Sequence, residues 1–446
     1  MKINLFFYIF IISCFLYFAS PDNYSYDYCV LLHNLYLILA FLLAFKDKKN
    51  EKIGFNVFFS ISFYFTNFVY PIYIYPLDPT YSLFSFGGYS PSVITKCTAL
   101  ALLAYSSYAW GYSSKMIRYK SLLFKSSYVI NYSALKIIVS LFFFYGLIFY
   151  TQGGLDFYND QYINGEMGGH MIVRYILQLF PPILTLMSCV LLFTCSKVLK
   201  SIILSLLLIF SFSLIFSGSR TIPLYIFIML FVLYCTTYKV SNKLIFLCVI
   251  VGLIFMTFIG ESRGSGVYDV SKLGEDNQIG IWSNVSDLII NNRNLYSLYD
   301  FAQTNTHTYG LTMLSDLLSP IPFLQGFIQD SFGIPTYMMG SAYFSTFIAL
   351  GKNPSFGLGT NIVGDTYLAF GCLGTILLFY ILGSFIISIR NNARKDSLYS
   401  LLIYLVFVGN SIFYVRSSYL INIRFVTWTL LLGYMLYRIF KVLRKV

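Results

Sequence analysis

The residues of this chain that could do chemistry are few, and arginines lead them. Ser217-Gly218-Ser219-Arg220-Thr221 is a tight, small-residue turn between two apolar runs. A helix starting at its end would aim free N–H groups and a positive dipole end at whatever occupies the turn. An arginine fork and the Ser219 hydroxyl beside those groups suit a diphosphate. A capped hairpin whose Arg220 reaches to lipid headgroups fits the same residues. Arg416 and Arg424 flank a second turn, Ser417-Ser418-Tyr419-Leu420-Ile421-Asn422-Ile423, and Arg263 lies in Glu261-Ser262-Arg263-Gly264-Ser265-Gly266. An arginine near hydrocarbon is costly unless it faces protein or water. Arg220, Arg416 and Arg424 are therefore candidates for one shared anion site, with Arg263 either a further contact or a solvated loop residue.

Groups that could move a proton are fewer still. His307, in Asn305-Thr306-His307-Thr308-Tyr309-Gly310, could act as a general base, a role open to histidine as a residue type, or be a surface loop residue. Asp365, in Gly364-Asp365-Thr366-Tyr367, could take the proton of a sugar hydroxyl, or simply complement the dipole at a helix start. His33 lies in an apolar run and reads as structural, and His170 has no evident partner. No carboxylate dyad can be assigned from spacing. There is no P-loop, no DxD-like motif and no HExxH, so neither metal nor cofactor is expected.

The elements that must position these residues are set by composition. Of 446 residues, 57% are hydrophobic and only 11% charged, against about 25% charged in soluble domains. The apolar residues fall in blocks long enough to cross a bilayer, near 4–19, 27–45, 54–74, 93–113, 134–151, 174–195, 201–217, 221–238, 244–260, 361–389, 397–415 and 423–440. The fold class expected is all-α: one polytopic membrane domain over 1–446 with about twelve transmembrane helices. The eight cysteines lie almost entirely within apolar blocks and form no CxxC pair, which suits small packing residues.

Basic residues orient the chain. One set of connections, with both termini, carries 21 of the 30 Lys and Arg residues and only Asp47, Glu51 and Asp396 among the acids. That side is expected to be cytoplasmic. The net charge of +12 is thus a topology signal, and nucleic acid is excluded as a partner. The other side carries a loop of roughly a hundred residues, 261–360, too long to be structureless. Apolar spacing predicts an amphipathic helix over 281–301 and a short helix over 307–318, ended by Ser319-Pro320-Ile321-Pro322. Such helices would lie on the membrane surface or cap a cavity.

Phe216-Ser217-Gly218-Ser219-Arg220 before an apolar helix resembles the small-Gly-small-Arg turn of bacterial O-antigen polymerases of the Wzy type. The run from Gly357-Leu358-Gly359-Thr360-Asn361 to Gly364-Asp365-Thr366-Tyr367 and Phe370-Gly371-Cys372-Leu373-Gly374 resembles that family's glycine-rich entry to a late helix, with Asp365 where Glu is frequent. Tyr309-Gly310, Pro320-Ile321-Pro322 and Tyr414-Val415-Arg416-Ser417-Ser418 resemble its further landmarks, in the same order. The resemblance implies a GT-C-like inner-membrane enzyme with its active site facing the periplasm. It would move a growing glycan from its polyprenyl diphosphate onto a new lipid-linked unit, with inversion and without a metal. Its partners would be lipid-linked oligosaccharides and membrane lipids, and the resemblance admits a chain-length regulator. A flippase for lipid-linked sugars would be expected to show internal repeats, and none is visible. An O-antigen ligase shares substrate and topology and stays open as an alternative.

Overall fold

A chain this apolar has little water to satisfy its backbone, so each segment must close its own hydrogen bonds, and the helix does so. In the computed structural model, residues 5–47, 53–79, 89–117, 128–130, 132–154, 171–193, 197–216, 221–238, 240–241, 243, 285–352, 354, 357–395, 397–436 and 443–445 are described. The helices are α1 (Leu5–Phe18), α2 (Tyr26–Asp47), α3 (Phe55–Asn67), α4 (Val93–Ser114), α5 (Tyr132–Thr151), α6 (Met171–Phe193), α7 (Lys197–Phe216) and α8 (Thr221–Thr237). They continue as α9 (Ser286–Ile289), α10 (Asn292–Thr304), α11 (Leu314–Leu318), α12 (Leu324–Phe332), α13 (Ser341–Leu350), α14 (Ile362–Arg394), α15 (Leu398–Gly409), α16 (Ser411–Tyr414) and α17 (Asn422–Tyr434). Strands β1 (Tyr128–Ile130) and β2 (Leu443–Lys445) pair antiparallel and are the sole ladder among the described residues.

Three helices, Tyr26–Asp47, Lys197–Ile215 and Ile362–Arg394, are long and apolar enough to cross a membrane, and shorter apolar helices accompany them. The all-helical, multi-pass character expected from the apolar blocks is therefore present. The expected span over 244–260 lies outside the described residues.

The chain divides into two compact units. The first comprises 1–120, 285–391 and 410–424. Within it α1 and α2 pack on α4. Helix α4 also crosses α14 closely: a Cβ on Gly111 would lie 2.1 Å from the Tyr380 carbonyl oxygen, and one on Gly383 2.1 Å from that of Tyr108. Small residues allow this approach, and Ser107 and Ser384 add side-chain bonds to the opposing Ile376 and Gly111 carbonyls, at 2.7 and 3.2 Å. Ion pairs mark both ends of the unit. Lys96 meets Asp22 at 2.5 Å where α4 begins, and Arg390 meets Asp47 at 2.5 Å where α2 ends. His33 is a satisfied core histidine, with Asn34 and the Tyr64 hydroxyl each 3.2 Å from its ring nitrogens.

The second unit comprises 121–284, 392–409 and 425–446. Phe180, Leu184, Leu207, Ile226, Met229 and Leu402 belong to its core, drawn from α6, α7, α8 and α15. Helix α6 carries Pro181 and Pro182 in its interior. Thr185 donates to the Pro181 carbonyl at 2.7 Å and lies 2.7 Å from the Tyr225 hydroxyl, so two buried hydroxyls satisfy one another.

The long connection differs from its expected form. The helix expected over 281–301 is two helices, α9 and α10, with its first residues outside the described set. Asn291 makes the turn between them, its N–H bonded back to the Leu288 carbonyl at 3.3 Å. Helix α10 is not a surface helix: Asn292 through Tyr299 are all buried, and it packs against α4 and α13. Its polar residues are enclosed by protein, so of the two positions expected for it the membrane surface does not apply. Over 307–318, Gly310 adopts a left-handed φ of 84° and a single 3₁₀ turn, Leu311–Met313, leads into the short α11. The expected Ser-Pro-Ile-Pro stop ends that helix, with Ser319 Oγ bonded to the Asp316 carbonyl at 2.7 Å.

Candidate functional site

The first unit gathers its polar residues where α14 begins. Asn361 accepts the N–H of Val363 at 2.9 Å and that of Gly364 at 3.4 Å, capping the helix. Its amide donates to Asn67 Oδ1 at 3.0 Å and to the Asn291 carbonyl at 3.5 Å. Asn294 in turn donates to Asn291 Oδ1 at 3.1 Å and to the Leu358 carbonyl at 2.9 Å. Four buried asparagines from α3, the α9–α10 turn, α10 and the α14 entry thus tie the long connection to the helix start. Gly364 is needed for this packing, since a Cβ there would lie 3.0 Å from Leu298 Cδ1 and 3.2 Å from Leu295 Cα.

Asp365 follows on the first turn of α14 and is fully buried. Its Oδ2 accepts the N–H of Tyr419 at 2.8 Å, while Oδ1 has no hydrogen-bond partner among the described residues. The Ser341 hydroxyl lies beside this carboxylate without the geometry of a hydrogen bond. The Ile362 N–H donates to the Val415 carbonyl at 3.0 Å. The arginine turn at 415–419 is therefore latched twice to the entry of α14, by one backbone bond and by the Asp365 side chain. Within the turn, Tyr414 OH donates to the Tyr419 carbonyl at 2.7 Å and Asn410 bonds Asn422 across its base at 2.8 Å.

A third segment joins here. Asp316, on α11, accepts a hydrogen bond from the Ser418 hydroxyl through Oδ2. Arg424 attracts Asp316, and the charge of Asp316 is in turn felt at Asp365. Asp316 is half-buried. Burial pushes its carboxyl above the usual carboxylate range, and the Ser418 hydrogen bond and the Arg424 charge pull it back.

Of the residues expected from sequence, the structure therefore unites Asp365 and Arg424, with the backbone of Arg416. The Arg416 side chain lies over the Phe413 ring, 5.9 Å from its centroid. His307 sits further along α14, against a break at Gly371, where φ is 68° and ψ −162°. A Cβ at Gly371 would lie 3.0 Å from His307 Nε2, and the ring of Tyr367 stands edge-on to the imidazole at 5.7 Å. His307 Nδ1 is buried without a partner among the described residues. Arg220, Ser219 and Arg263 lie outside the described residues. Arg293, another arginine of the long connection, is 5% exposed on α10, and burial lowers its guanidinium to about 10, still cationic at neutral pH.

Sequence reasoning passed over Asp316, Ser418 and the asparagine cluster. Asp316 had a signal: it lies three residues before the Ser-Pro-Ile-Pro stop, at the end of the helix that the stop defines. The asparagines had none, because their bonds link residues as far apart as 294 positions.

No curated protein and no solved structure matches the chain. The family model of the O-antigen polysaccharide polymerase Wzy matches residues 2–445, nearly the whole length, and covers every landmark that meets at the start of α14. This chain belongs to the O-antigen polysaccharide polymerase Wzy family.

Proposed function

We propose that this polymerase works at the periplasmic face of the inner membrane, through about twelve spans in a GT-C-like arrangement. It joins polyprenyl-diphosphate-linked repeat units by an inverting, metal-independent glycosyl transfer. The observation that carries this reading is the double latch between the α14 entry and the arginine turn, with Asp316 brought to the same place by Ser418. Three segments distant in sequence bring two carboxylates and an arginine to one end of an apolar helix, and each is expensive there without a use.

The chemistry follows from those groups. The bond between the anomeric carbon and its phosphate oxygen breaks as the acceptor hydroxyl attacks. Negative charge then grows on the diphosphate, where fixed cations lower the barrier. Arg220, Arg263, Arg416 and Arg424, with the Ser219 hydroxyl, are the groups we assign to it. The acceptor proton must leave to a base at the same face. His307 and Asp365 are the bases the sequence offers, and Asp365 also fixes the turn that carries Arg416.

A strain lacking this chain decides between polymerase, ligase and flippase. With polymerase lost, its lipopolysaccharide should run as core plus a single repeat unit, and the intact chain should restore the ladder. Bare core with accumulated lipid-linked polymer would instead identify a ligase. Bare core with single units trapped on the cytoplasmic side would identify a flippase.

A further inference from the structure

We infer that Asp316 is the general base of the transfer, and that Asp365 is the positioning carboxylate behind it. The inference rests on the polymerase reading above and assigns a role within it to a residue the sequence did not single out.

A general base must touch the hydroxyl it deprotonates, directly or through one water. Asp365 is poorly placed for that. It is fully enclosed, and its Oδ2 holds the Tyr419 N–H at 2.8 Å. Swinging toward a sugar would release the turn it fixes. Asp316 is half-buried rather than enclosed. Its Oδ2 is oriented by Ser418, and no described residue donates a hydrogen bond to its Oδ1. One oxygen is thus held while the other accepts no hydrogen bond from a described residue, the arrangement expected of an oriented base.

The surroundings also raise its proton affinity. The groups facing Asp316 are Arg424 from α17, Asp365 from α14, Tyr414 from α16 and the Ser418 hydroxyl. Burial is the largest influence and favours the protonated form, with Arg424 and Ser418 opposing it. A carboxylate made more basic than usual accepts a proton more readily in the transition state. In the step proposed, Asp316 takes the proton of the acceptor hydroxyl. The oxygen's electron pair forms the new bond to the anomeric carbon, and the polyprenyl diphosphate leaves with the pair of the broken bond. Asp316 then returns its proton to water.

The test uses the full chain in liposomes, with polyprenyl-diphosphate-linked repeat units extracted from a strain lacking it. Asp316→Asn should lower kcat by about 10²–10⁴-fold with KM little changed. It should also abolish the acid limb of the wild-type pH–rate profile, where activity falls as the base becomes protonated. Asp316→Glu should recover part of the rate, with the acid limb moved. Ser418→Ala removes the hydrogen bond but keeps the carboxylate, and should cost less than tenfold with the limb retained. A purely structural Asp316 predicts instead that Ser418→Ala and Asp316→Asn do similar damage. Asp316→Asn within threefold of wild type, or an acid limb unmoved in Asp316→Glu, would overturn the assignment. If Asp316→Asn does not fold, the Asp316→Glu profile decides alone. Wild-type protein that makes no polymer from these units would overturn the polymerase reading itself, so the two failures are distinct.

Discussion

Replacing Asp47 with alanine should unfold this protein far more readily than any surface change, while removing the Arg390 charge together with Asp47 should restore part of the loss. The Arg390 side chain is fully buried and that of Asp47 is 8% exposed, with Nη1 2.5 Å from Oδ1. Tyr112 donates to Asp47 Oδ2 at 2.7 Å and Asn56 donates to it at 3.0 Å, while Arg390 Nη1 also reaches the Tyr112 hydroxyl at 2.5 Å. Asp47→Ala strands a guanidinium that cannot deprotonate and leaves two buried donors short of an acceptor. A buried charge left without its partner costs roughly 3–5 kcal/mol, enough to consume much of a typical domain's stability of roughly 5–15 kcal/mol. The double change Asp47→Leu with Arg390→Met removes the stranded charge and keeps most of the volume, so it should be more stable than Asp47→Ala, yet below wild type by about 1–3 kcal/mol for each of the Tyr112 and Asn56 donors left without an acceptor. Thermal unfolding in detergent, with membrane abundance as a second readout, measures both. Chain length of the polymer at matched protein levels should be normal in the double variant, because this pair lies at the opposite end of α14 from Asp365. A melting temperature for Asp47→Ala equal to wild type, or a double variant as unstable as the two single losses combined, would refute the reasoning.

Asn361→Leu should destabilise by roughly 2–4 kcal/mol, about 1 for the lost cap and the rest for Asn67 Oδ1 left without its donor, read from the same thermal melt. Arg220→Ala should abolish polymer while the protein stays in the membrane, and Arg220→Lys should recover little, since a point charge cannot reproduce the fork; normal ladders in Arg220→Ala would end its diphosphate role. A phosphatase fused after Asn305 should be active and one fused after Lys445 inactive, as expected if the long connection is periplasmic and the C-terminus cytoplasmic.

Helices were legible where the apolar runs are long, and three of them, Tyr26–Asp47, Lys197–Ile215 and Ile362–Arg394, have the length and composition to cross a bilayer. Among the described residues Lys96 pairs with Asp22, and Arg390 pairs with Asp47. What the sequence left open was where the helices of the connection after the ninth apolar run would lie. Periodicity reports which residues share a helix face, not what covers the polar one. In α10 that face is covered by protein, with Asn294 bonded to Asn291 and Leu358. The site was half legible for a related reason. Asp365 and Arg416 lie in recognisable local patterns. The bond that recruits Asp316 joins it to Ser418, 102 positions away, and no local spacing encodes that.

The break in α14 shows how one helix can carry a buried polar end and a long apolar stretch together. The segment bearing Asp365 runs only to Gly371, where the backbone leaves helical geometry. Carbonyls around such a break lose their regular partners and need others. The Thr308 N–H donates to the Leu368 carbonyl at 2.9 Å, with its hydroxyl 3.4 Å from the same oxygen. His307 fills the space that a side chain at position 371 would need. His307 and Thr308 thus act as a splint from the long connection, supporting the break from outside the helix. Beyond it, Leu373 is 81% exposed and Leu377 59%, an apolar face suited to lipid, whereas Ile362, Val363, Asp365 and Thr366 before it are buried. A continuous helix would impose one face on both halves. The glycine lets the first turns be set by Asn361, Asp365 and the arginine turn, and the remaining turns by α4 and the bilayer. The glycine-rich entry is therefore a requirement of geometry, and it places Asp365 where its carboxylate can hold the turn from Arg416 to Tyr419.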